Sequence, residues 1–115
     1  MTTLELLEQH PKTTDLIKEW YSIKLLKSID AATEVSEDFK EMMRAQPIDT
    51  SNIAKMIDGI PRSLFDFFDE HEIYISIMHY PEQGFSHDGP PYYSNRRESE
   101  LVAIEEAFIW LEKKL

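Results

Sequence analysis

The side chains of this chain with the means to do chemistry crowd into residues 63–97. Three of its four histidines lie there, His71, His79 and His87, with Ser86 and Asp88 beside the last. A cation needs convergent donors, and zinc ligands usually come in pairs two to four residues apart. His71 and His79 are separated by eight residues, roughly 26 Å along a strand. His79 and His87 can approach across a hairpin, with Asp88 or Glu82 adding oxygen. That set would make a small metal-dependent enzyme. The same spacing suits surface and loop histidines, which is the expected role. Ser86-His87-Asp88 spells a hydrolase triad, but adjacent side chains point apart and a triad needs convergent ones. Phosphate-cradling loops need glycine runs, and only Gly59, Gly84 and Gly89 are present. The carboxylate pairs, Asp66 with Asp69 or Glu70 and Glu105 with Glu106, read as solvated helix acids. Acid–base work needs two carboxyls in unlike environments. The sequence therefore calls for no cofactor, metal or catalytic residue.

The same region suits recognition better. No Lys or Arg lies between Ser63 and Asn95, while Asp66, Asp69, Glu70, Glu72, Glu82 and Asp88 do. Most of the aromatics lie there too. Phe67, set off the expected Leu64–Phe68 face, is expected at the surface beside Tyr74 and Tyr80, marking an interface. Pro90-Pro91-Tyr92-Tyr93 matches the Pro-Pro-x-Tyr pattern that WW domains read. Three specified letters also describe a stiff turn, with Tyr92 and Tyr93 packing one in and one out, and the turn is the expected role. Arg96 and Arg97 oppose a helix dipole at a cost of a few tenths of a kcal/mol each. They are expected to pair with Glu100 or loop acids, or to hold an acidic group of a partner. Met42, Met43 and the Phe65–Phe68 cluster suit an adaptable apolar groove, although stripes at helical spacing are more often core.

Positioning these residues falls to a few elements. A short helix is expected over Thr3–Gln9, capped by Thr3 and stopped by Pro11. The next begins near Thr13 or Thr14 with the stripe Leu16, Trp20, Ile23, Leu26 and Ile29. It either runs to Arg44 or breaks near Thr33 and restarts at Ser36, and Pro47 ends it. A third opens at Asp49–Ser51, buries Ile53, Met56 and Ile57, and closes on Gly59 as a left-handed cap. Pro61 starts another, with Leu64, Phe65 and Phe68 inward. Glu72–Tyr80 alternates with period two and reads as a strand. Its expected partner lies within Phe85–Ser94, where Pro90 and Pro91 cannot donate to a ladder. Asn95 and Glu98 cap the last helix, with Leu101, Ile104, Phe108, Leu111 and Leu115 as its stripe.

Together these give an α+β, mainly helical single domain, residues 1–115, with a small antiparallel β-hairpin packed against the C-terminal helix. Acids outnumber bases 22 to 12, for a formal charge of −10. Such a field repels phosphate, so direct nucleic-acid binding is disfavoured. No apolar stretch is long enough to cross a bilayer, and the start lacks a basic leader. With no cysteine, the expected setting is cytoplasmic. The leading expectation is a non-catalytic module that binds another protein, or a second copy of itself as a homodimer, through the aromatic hairpin region. The alternative is an acidic inhibitor that mimics nucleic acid on a basic site.

Overall fold

Helices start where a short polar side chain can accept an orphan amide. In the computed structural model, which describes residues 2–45 and 48–115, Thr2 accepts from the Glu5 amide and opens α1 (Thr3–Gln9). The cap is thus one residue earlier than Thr3. Pro11 begins α2 (Pro11–Ala31), at a position where a missing N–H costs little. The amides of Lys12 and Thr13 donate to Glu112 at 3.2 and 2.9 Å. A carboxylate near the end of the chain therefore caps a helix near its start.

Between the two expectations for residues 33–44, the break is correct. Ser36 accepts from the Phe39 amide and opens α3 (Glu37–Arg44). Pro47 lies outside the described residues. Asp49 caps α4 (Thr50–Gly59). Gly59 is not the expected left-handed cap; the glycines with positive φ are Gly84 and Gly89. Ile60 ends α4 at φ −137° instead, because the residue before a proline is driven to extended backbone. A 3₁₀ turn (Pro61–Leu64) leads into α5 (Phe65–Glu70). Asn95 accepts from the Glu98 amide at 2.9 Å and opens α6 (Arg96–Lys114).

The core sits between α1, α2, α4, the 3₁₀ turn, α5 and α6. Leu7, Ile17, Ile53, Leu64, Phe68, Ile104 and Phe108 are fully buried in it. The expected α2 stripe is corrected here. Ile29 is buried and Leu16 and Trp20 pack against the core as expected, but Ile17 is the fully buried apolar residue of the helix, and Ile23 and Leu26 are 50% and 41% exposed. The main core reaches along α2 only to Tyr21. Beyond it the helix has the short α3 for a neighbour, and a stripe at helical spacing finds too little to cover it.

The strands are short. β1 (Met78–Tyr80) pairs antiparallel with β2 (Gly84–Ser86), and β2 packs on α6. The fold is α+β and mainly helical, with the small hairpin against the C-terminal helix, as the sequence leads one to expect. No helix among the described residues is long and apolar enough to cross a membrane.

Candidate partner-binding groove

After α5 the chain turns sharply. Glu72 takes φ +62°, and the Ile73 amide returns to the Phe68 carbonyl at 2.9 Å. From there Ile73, Ile75 and Ile77 are half-buried, whereas Tyr74, Ser76 and Met78 are exposed. That is the period of an extended chain. The expected strand over Glu72–Tyr80 is nevertheless paired only over Met78–Tyr80.

The ladder stops because its partner leaves. Continuing the Met78–Ser86 register would set Ile77 opposite His87 and Ser76 opposite Asp88. Instead the Ser86 hydroxyl accepts from the Asp88 amide at 3.1 Å and donates to the Gly89 carbonyl. Gly89, at φ +71°, carries the chain away. The far edge of β2 is occupied: Phe85 and Tyr93 exchange both backbone bonds at 2.8 Å. Among the described residues, Tyr74, Ile75, Ser76 and Ile77 make no backbone–backbone hydrogen bond.

Where the ladder ends a groove of about 160 Å³ opens between Ile73–Ser76 and α6. Ala103 and Ala107, one turn apart on α6, form its floor; their small side chains leave the room. His87, Glu106 and Trp110 bound it. His87 Nε2 lies 2.6 Å from Glu106 Oε2, and His87 Nδ1 is buried without a partner among the described residues. Tyr74 and Trp110 are 76% and 64% exposed at its rim.

The residues singled out from sequence fall into four places. Tyr74 stands at the groove. Tyr80, Tyr92, Tyr93 and Arg96 gather around the hairpin. Tyr80 and Tyr92 meet edge to face at 5.1 Å, and the Arg96 guanidinium lies 5.7 Å over the Phe85 ring. Tyr92 and Tyr93 are both half-buried rather than one in and one out. Arg97 points elsewhere and donates to the Asp58 carbonyl at the end of α4. The expected Arg–Glu100 pair is made by Arg62, at 3.5 Å, with Glu100 buried. The His79 ring lies tilted against Phe85, 4.8 Å between centroids, while His87 is held by Glu106. Asp88 sits in the turn.

Phe67 is corrected. It is 1% exposed and packs against Trp20, Phe68 and His71 at 5.7, 5.1 and 4.8 Å between ring centroids. Phe67 and Phe68 follow Leu64 by three and four residues, which places all three on one helical face. Phe65 is the ring that falls to the side. Sequence reasoning also missed Trp110, and it read Glu106 only as a solvated helix acid. A signal existed for Trp110: it is out of phase with the Leu101–Phe108–Leu111 stripe, so a large ring had to face outward.

Comparisons of the chain with protein-family models, with curated proteins and with solved structures found no match.

Proposed function

We propose that the chain is a non-catalytic interaction module that takes an extended segment of another protein as an added strand along Tyr74–Ile77. One observation carries this. Four consecutive residues with alternating burial have no backbone partner among the described residues. Unpaired N–H and C=O groups on an extended chain are a template for a further strand. Main-chain bonds would give affinity. Exposed Tyr74, Met78 and Trp110 offer apolar area to alternate side chains of the guest.

A foreign protein fits better than a second copy. Self-pairing would press together two chains of charge −10, along a stretch with no Lys or Arg, and like fields repel. The test is selection from a displayed library of extended heptapeptides, followed by amide exchange. Selected peptides should slow exchange at Tyr74–Ile77. Successive amides of an extended chain point to opposite edges, so either Ser76→Pro or Ile77→Pro should abolish binding while both variants stay folded. Binders that leave those amides unchanged, or a library that yields none, would contradict the proposal.

A further inference from the structure

We infer that the groove seats a lysine or arginine side chain carried by the added strand. This rests on the strand-addition proposal and names the chemistry of its guest. Three features converge on a cation. The first is Glu106. His87 engages one carboxylate oxygen at 2.6 Å, and the other makes no bond among the described residues. It has room for a second donor. The second is the rim. Tyr74 and Trp110 both line the groove and are both exposed, and electron-rich ring faces attract a cation within about 6 Å. The third is the surrounding charge. The chain carries no Lys or Arg between Ser63 and Asn95, so on this stretch only His87, which takes one oxygen of Glu106, shares that carboxylate with a basic guest.

The floor completes the fit. Ala103 and Ala107 give a shallow apolar surface. A long basic side chain lays its methylene stem on such a surface and keeps its charged head at the wet end. A guest strand directs every second side chain to one face, so one basic residue flanked by small or β-branched neighbours matches a groove of about 160 Å³.

The probe is a fluorescent, end-blocked heptapeptide alternating threonine and valine, with arginine at its centre. Its twin carries norleucine there. Anisotropy and amide exchange are read for both against the full chain. The arginine probe should bind about five- to tenfold tighter, and the advantage should shrink with salt. Glu106→Gln should remove most of the difference without changing the thermal midpoint. Trp110→Ala, at an exposed site, should reduce it. If the twins bind alike while Tyr74–Ile77 amides slow with both, the basic seat is wrong and strand addition stands. If neither probe slows those amides, strand addition fails and the seat fails with it.

Discussion

Phe67 and Tyr74 lie seven residues apart in the acidic, aromatic stretch and do opposite jobs. Phe67 touches three rings inside the core, and Tyr74 is 76% exposed. Phe67→Ala should cost about 3–5 kcal/mol through the cavity it leaves. Tyr74→Ala should stay within about 0.5 kcal/mol. Urea denaturation of both variants checks this, and comparable losses would mean the placement of the two rings is wrong. At this scale the sequence was legible at three helix starts, although Thr3 and Gly59 were not the caps their local signal suggested. Ser36, Asp49 and Asn95 each accept the amide three residues on, an interaction that needs no knowledge of the rest of the fold. The exposure of Ile23 and Leu26 was illegible, because it depends on where the main core stops along α2.

Helices α2 and α6 are joined end to end by Glu112. Partial burial raises its pKa, but the Thr13 and Lys12 amides, with His10 nearby, outweigh that and leave it below its ordinary value. A carboxyl depressed on folding contributes stability above its unfolded pKa of about 4.3, which is lost as pH falls through the lower folded value. Glu112→Ala should therefore cost about 1 kcal/mol at pH 7, in line with loss of a helix cap. The gap to the unaltered protein should narrow in acid, and thermal melts at pH 7 and pH 3 test the sign. The hairpin has its own test. Gly84 sits at φ +121°, and a Cβ there would collide with the Tyr93 carbonyl. Gly84→Ala should cost about 1–3 kcal/mol and loosen the Phe85–Tyr93 bridge, visible as faster exchange of both amides. Element types could be read from period and capping. The length of the pairing could not, since the Ser86–Gly89 turn that cuts the ladder short is built from a different part of the chain.

The whole molecule is elongated, 53 × 31 × 25 Å, and carries a formal charge of −10. At that charge the Tyr74–Ile77 run, unpaired among the described residues, should not recruit a second copy at low salt. Light scattering at high protein concentration should give a monomer, and a dimer would replace the foreign guest with self-pairing. The proposed strand addition depends on whether the four amides of Tyr74–Ile77 are free. Hydrogen exchange followed by NMR on the isolated protein reads this directly. Tyr74, Ile75, Ser76 and Ile77 should exchange far faster than the Phe85 and Tyr93 amides or the centre of α6. Protection of those four equal to that of α6 would mean that the segment already has its partner, and no open edge would remain for another chain.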